Sequence, residues 1–365
     1  MSLKAPVPLE KLKFGKPIHW RITLDSKFLE ITKQKLSLAR FPEEQTDSDR
    51  DDWSQGAKVF RVKELAEYRK DNYDWEKQEK QLNEAFNHYL VKMEVPGYGP
   101  LILHFTHTRS KCEHAIPLLF SHGWPGSFVE AVKVVDKLTK PKEDQDQAFH
   151  LVAPSIPGFG FSPAPYKSGM GPEAVARAFK ILMTDVLGYP WFVTQGGDFG
   201  SFITPLYRHT VPRCRPRTAS QYVPRPPPTL LKTPLAYLRW CLAGLFYSDF
   251  EREVMRVRRN FETDQSGHLE QQKTRPQTLS FGFGLGATPA LRFYCEAFNP
   301  ARRESEKTFE AYVSMPTGVS MYVKEQLHCP RKYENGGHFS SFKQPDVFVK
   351  DLRAFVNVRS VQKLI

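Results

Sequence analysis

The spacing of hydrophobic positions changes twice along the chain. Over residues 1–95, short apolar stripes are set in polar sequence. Phe28, Leu29, Ile31 and Leu36 share one helical face, and Leu82, Ala85, Phe86, Tyr89 and Leu90 share another. The stretch between them, Glu43 to Ser54, is acidic and turn-rich and predicts an exposed loop. This part is expected to be an N-terminal extension wrapping a core. From residue 96 to 225, continuous apolar runs alternate with amphipathic ones. Pro100–Phe105, Ala115–Phe120, Phe149–Pro154 and Tyr189–Val193 predict strands, the second continuous enough to be buried on both faces. Phe128–Leu138 and Pro172–Leu187 predict helices. The latter places Val175, Phe179, Leu182, Met183 and Val186 on one face, with Pro172 suited to its first turn and Gly188 to its end. Strand alternating with helix predicts an α/β protein with a doubly wound, mostly parallel sheet. Arg225-Pro226-Pro227-Pro228 ends this block. Residues 226–305 are helical in pattern, with Trp240, Leu242, Leu245 and Phe246 in a stripe, and predict an inserted helical cap. Residues 306–365 return to the core, with a strand at Val313–Val319 and a helix at Phe348–Phe355.

Composition narrows the partners. The chain has 365 residues, 40% of them hydrophobic, enough for a sizeable core. Its net charge of +12 is spread along the sequence, and even the basic stretch Arg208–Lys232 lacks interleaved aromatics, so no nucleic-acid partner is expected. Five scattered cysteines form neither a disulfide framework nor a zinc spacing, and a reducing compartment follows. The first residues open no signal-like apolar run, and no apolar stretch is long enough to span a bilayer. A cytoplasmic protein is expected; its oligomeric state stays open, a homodimer included.

The chemistry centres on Gly196-Gly197-Asp198-Phe199-Gly200. Small residue, any, nucleophile, any, small residue between a strand and a helix is the pattern of a nucleophile elbow. An aspartate at its centre is a carboxylate nucleophile, which attacks carbon and leaves an ester. That excludes serine-hydrolase chemistry and points to opening an epoxide or displacing a halide. His122-Gly123-Trp124-Pro125-Gly126 follows the buried strand and would lie beside the elbow in an α/β-hydrolase plan. The backbone N–H groups of Trp124 and Phe199 are the expected oxyanion hole. Gly336-Gly337-His338-Phe339 comes after the cap, where that plan places its base, and an imidazole titrates in the range needed to activate water.

These residues resemble the microsomal-type epoxide hydrolases, fungal members especially. The likeness runs from Tyr68-Arg69-Lys70-Asp71-Asn72-Tyr73-Asp74-Trp75 to the C-terminal helix. It includes Ile116–Glu130, Pro157-Gly158-Phe159-Gly160-Phe161-Ser162, Gln195–Asp198, Thr274-Arg275-Pro276-Gln277-Thr278 and Gly336–Phe339. The resemblance implies an α/β-hydrolase fold with a cap, an apolar epoxide and water as reactants, and a vicinal diol as product. It implies no cofactor and no metal. Tyr294 matches a cap tyrosine that donates to the epoxide oxygen, and Glu325 matches the acid that orients His338. Detoxification, aromatic hydrocarbon catabolism and secondary metabolism are all compatible roles. Two other readings stay open: a hydrolase-fold paralogue with impaired turnover that binds a small apolar ligand, and a dehalogenase-like enzyme using the same aspartate.

The chain departs from the pattern in three places. His268 stands where the family has its other cap tyrosine, and becomes a second candidate donor. The cap is short after Thr278. The twelve residues 326–337 are few for a helical segment plus a final strand. Cys329–Asn335 is also polar for a strand, so the sequence predicts either a sheet without its last strand or another partner for His338. Residues 214–223 are polar for a central strand as well.

Overall fold

The computed structural model describes residues 12–43, 57–143, 146–204, 206, 217–220, 234–242, 293, 296–297, 317–322, 331–333 and 337–358. In chain order the elements are β1 (Ile18–Trp20), α1 (Ser26–Ser37), α2 (Val59–Asp71), α3 (Trp75–Ala85), β2 (His88–Val95), β3 (Gly99–Thr108) and β4 (Ile116–Ser121). They continue with α4 (Val135–Thr139), β5 (Phe149–Pro154), α5 (Pro172–Ile181), β6 (Val193–Gly196), α6 (Phe199–Ile203) and β7 (Arg217–Ser220). The remainder are α7 (Pro234–Cys241), β8 (Thr317–Tyr322), β9 (Arg331–Tyr333), α8 (Ser340–Lys343) and α9 (Pro345–Val356).

The strands form one sheet in the order β1-β2-β3-β5-β4-β6-β7-β8-β9. β1, β2 and β3 join antiparallel, and β3 pairs antiparallel with β5. From β5 through β4, β6, β7 and β8 to β9 all pairings are parallel. This is the mostly parallel α/β sheet that the alternation of patterns predicts. β4 lies at its centre and is buried at every position, as its unbroken apolar run requires. Phe120, Leu118, Leu119, Val152, Phe179, Phe192 and Val193 fill the core around it.

Residues 21–85 form a compact unit of their own. Within it, Ile22 and Asn83 exchange two hydrogen bonds of 2.9 Å, tying the entry of the unit to α3. Glu79 Oε2 accepts from the Leu24 N–H at 3.0 Å and from Trp75 Nε1 at 3.2 Å. α1 is the helix its apolar stripe predicts, with Asp25 accepting from the Lys27 N–H at its start.

Four expectations need correction. The stripe Leu82–Leu90 is not one helix: α3 stops at Ala85, and His88–Val95 is β2. That run alternates and carries Val91 and Val95, whose branched side chains favour the pleated sheet. The stretch 1–95 is therefore not all extension, since it contributes β1 and β2 to the main sheet. The helix expected over Phe128–Leu138 breaks into a 3-10 turn at Phe128–Ala131 and then α4. Finally, the sheet keeps its last strand. β9 is three polar residues long, paired with β8 through Ser320–Arg331, Met321–Lys332 and Tyr322–Tyr333. Backbone groups make that ladder, so an edge strand forms without an apolar run. The polar β7 likewise pairs on both sides.

α5 continues into a wide turn, Leu182–Val186, closed by the Leu187 N–H on the Leu182 carbonyl at 3.0 Å. Gly188 follows at φ 74°, as its place after the helix predicts. Of the cap, the described residues give α7, Phe293, Glu296 and Ala297. No described helix is long and apolar enough to cross a membrane.

Candidate active site

Adjacent parallel strands bring the site together. β4 and β6 pair with Ser121 opposite Gly196, so the chain leaves both at the same carboxyl edge of the sheet. After β6 it turns sharply at Asp198, the one described non-glycine residue with positive φ (φ 48°, ψ −124°). Such a conformation is costly for a side chain with a Cβ and persists only where packing enforces it. The flanking glycines allow it. A Cβ on Gly196 would collide with the Gly200 carbonyl, and one on Gly200 would collide with that of Ser121. α6 then begins at Phe199, with Ser201 N–H and Oγ both donating to the Asp198 carbonyl at 2.9 and 2.5 Å.

The neighbouring turn is fixed by a buried histidine. His122 Nε2 accepts from the Ile156 N–H at 3.0 Å, which leaves Nδ1 to donate to the Gly123 carbonyl at 3.0 Å. Burial lowers its pKa to about 4, so the ring stays neutral and does no acid–base work. Gly123 lies against Asp198, where a Cβ would strike the aspartate side chain.

The Trp124 N–H reaches Asp198 Oδ1 at 2.7 Å. The Phe199 N–H also holds the carboxylate. Both are where an oxyanion hole is expected. His338 Nε2 lies 3.8 Å from Oδ2, the other oxygen. The carboxyl is thus divided: one oxygen is held by backbone, and the other faces the imidazole. The side chains stay partly open, 27% for Asp198 and 44% for His338. Desolvation raises the Asp198 pKa, opposed by the His338 charge and then by the two N–H donors.

Aromatic rings close one side. Phe293, from the cap segment, is buried with its ring centroid 4.7 Å from that of Phe199 and 6.2 Å from that of Phe159. The residue after it is Tyr294. Tyr294, His268 and Glu325 all lie outside the described residues. By sequence Glu325 falls in the link from β8 to β9. Among the described residues no three His, Cys, Asp or Glu side chains are grouped to share a metal ion.

Sequence reasoning left Glu130 without a role. It sits in the 3-10 turn Phe128–Ala131, below the Gly123–Gly126 turn, and its Oε1 is closed off from solvent. A carboxylate between Val129 and Ala131 in an apolar run was the available signal.

Comparison with known proteins agrees with this geometry. The family model for the epoxide hydrolase N terminus matches residues 17–131, and that for the alpha/beta hydrolase fold matches residues 116–212. Epoxide hydrolase 1 of Sus scrofa is 29% identical over 378 residues, covering 82% of this chain and 80% of that protein. The crystal structure of juvenile hormone epoxide hydrolase from the silkworm Bombyx mori superposes with a TM-score of 0.82 at 21% identity, covering 98% of this chain and 97% of that one. The structure of Aspergillus niger epoxide hydrolase gives a TM-score of 0.71 at 24% identity, with 93% and 96% covered. At those identities the two structures speak for the fold. Taken with the divided carboxyl on its elbow, the two adjoining matches make residues 17–212 similar to the epoxide hydrolases, and the chain has the α/β-hydrolase fold.

Proposed function

We propose that the protein hydrolyses an apolar epoxide to a vicinal diol through an ester on Asp198. The observation that carries this reading is the split environment of the carboxyl. Oδ1 is engaged by the Trp124 N–H, which leaves Oδ2 as the attacking atom. Oδ2 forms a bond to one ring carbon, and the carbon–oxygen bond of the epoxide breaks. The oxygen becomes an alkoxide that takes a proton from a cap donor, Tyr294 with His268 as the second candidate. His338, oriented by an acid for which Glu325 is the candidate, then removes a proton from water, and the hydroxide adds to the ester carbon, Cγ of Asp198. The tetrahedral oxyanion is held by the Trp124 and Phe199 N–H groups. Its collapse breaks the bond from Cγ to Oδ2. That oxygen leaves with the diol and takes the proton of the new carboxyl group, while the proton on His338 returns to the cap donor.

A single turnover with styrene oxide in heavy-oxygen water tests this, with mass analysis of both protein and product. Label in Asp198 and none in the first diol is expected. An ester that accumulates without diol would support the reading of impaired turnover. A folded protein that forms no ester, from an epoxide or from a haloalkane, would overturn the covalent mechanism.

A further inference from the structure

Glu130 touches both halves of the site. Its carboxyl accepts from the Gly123 N–H, the peptide next to the one that holds Asp198. Its Oε1 lies so close under Gly126 that a Cβ there would collide with it. The side chain therefore fills the inside of the turn that aims the Trp124 N–H at Oδ1. Its backbone carbonyl accepts from Ser341 Oγ at 2.9 Å. Ser341 lies on α8, three residues after His338. One residue thus links the turn that holds one carboxyl oxygen to the helix beside the base that faces the other.

We propose that Glu130 is a positioning residue, whose carboxyl group braces the Gly123–Gly126 turn so that the Trp124 N–H stays on Asp198 through ester formation and cleavage. The proposal rests on the epoxide-hydrolase reading above.

The surroundings demand the neutral acid. Oε1 is shut off from water and has no hydrogen-bond partner among the described residues. Asp198 is the ionisable group acting on this carboxyl among the described residues. The turn offers it only the uncharged Gly123 and Gly126, and α8 offers its backbone the uncharged Ser341. The ring of His122 is committed to Ile156 and Gly123. Burial pushes Glu130 up to about 8, over the opposing hydrogen bond from Gly123 and with added repulsion from Asp198. Once ionised, it sets a second negative charge beside the carbon on which the oxyanion must form. Ester cleavage should then weaken as pH rises through about 8.

Single-turnover measurements on wild type, Glu130→Gln and Glu130→Ala test this, with styrene oxide from about pH 6 to about pH 10. The Asp198 ester is read by intact mass, the diol by chromatography and folding by circular dichroism. Glu130→Gln imitates the neutral acid. It should keep the neutral-pH rate of ester cleavage to within about threefold and lose the alkaline fall. Glu130→Ala, if folded, should cleave the ester at least about tenfold more slowly. A Glu130→Gln profile that keeps the wild-type alkaline fall overturns the proposal. So does a folded Glu130→Ala with wild-type rates. Should Glu130→Ala fail to fold, the Glu130→Gln profile decides alone. Wild-type protein that forms no ester would sink the hydrolase reading and this proposal together. Wild-type turnover with unchanged variants sinks this proposal only.

Discussion

Gly123 and Asp198 are packed so closely across the carboxyl edge of β4 and β6 that a single added methyl group on the glycine would strike the aspartate side chain. The contact follows from register, since Ser121 faces Gly196 and each strand releases its turn at the same level. Gly123→Ala should therefore act on the nucleophile before it acts on the fold. A displacement of the reacting atom by about 1 Å costs on the order of 100-fold in rate. Ester formation should fall by about that factor or more, read by intact mass in a single turnover, while circular dichroism stays native-like.

Gly200→Ala should act on stability instead. Its new Cβ would meet the backbone carbonyl of Ser121, which cannot swing aside as a side chain can. Overpacking of this kind costs about 1–3 kcal/mol or more. A denaturant melt of the variant should show a lower midpoint with an unchanged slope.

The two halves of the proposed reaction separate by mutation. Asp198→Asn should form no ester. Desolvation raises the Asp198 pKa above its unfolded value, so its charged form costs the folded state stability above that unfolded value. Removing the charge should then leave the thermal midpoint at neutral pH equal to or higher than that of wild type. His338→Gln should form the ester at a near-normal rate and cleave it about 100- to 10,000-fold more slowly. Quench-flow that follows ester and diol together checks both.

Acid should unfold the protein through its buried histidines. His107 and His122 are lowered to about 4, both chiefly by burial, and burial also holds His104 well below its ordinary value. His104 is held between His88 Nδ1 at 3.0 Å and Ser155 Oγ at 2.8 Å, in a pocket with Trp20, Phe128 and Phe161. These rings are neutral when folded and take protons near their ordinary value when unfolded. The unfolded state therefore binds more protons between about pH 6.5 and about pH 4, and stability drops as pH falls through that window. At about pH 5, His107 and His122 should each account for about 2 kcal/mol of lost stability. Denaturant melts at neutral pH and at about pH 5 should show that drop, and His107→Gln should reduce it.

Where the sequence was easy to read, the backbone left little choice. A strand, two spaced glycines and an aspartate between them admit few geometries, and the elbow formed as expected. The unbroken apolar run of β4 could only be buried. Leu82–Leu90 misled because its apolar positions fit a helical stripe and a strand alternation alike, and only pairing with β3 decides between them. β9 was invisible because three polar residues held by backbone bonds leave no hydrophobic trace. Glu130 was hidden for a different reason. Its significance lies in what surrounds the carboxyl, and nothing in the local sequence says that the chain folds its side chain back under Gly126.

The backbone angles of Asp198 carry a consequence for selectivity. At φ 48° the direction of its Cβ is set by Gly196, Gly200 and the neighbouring strand, not by the choice of rotamer. In the proposed reaction the attacking oxygen has little freedom, because the Trp124 N–H holds the other oxygen of the same carboxyl. In the proposed reaction, which of the two epoxide carbons is struck, and which mirror-image substrate is preferred, then depends on how the aromatic walls lay the molecule down. Phe293 packs on Phe199, one of the residues that hold the carboxylate. Reshaping that wall is accordingly the route to altered regiochemistry and enantiopreference with the nucleophile left untouched.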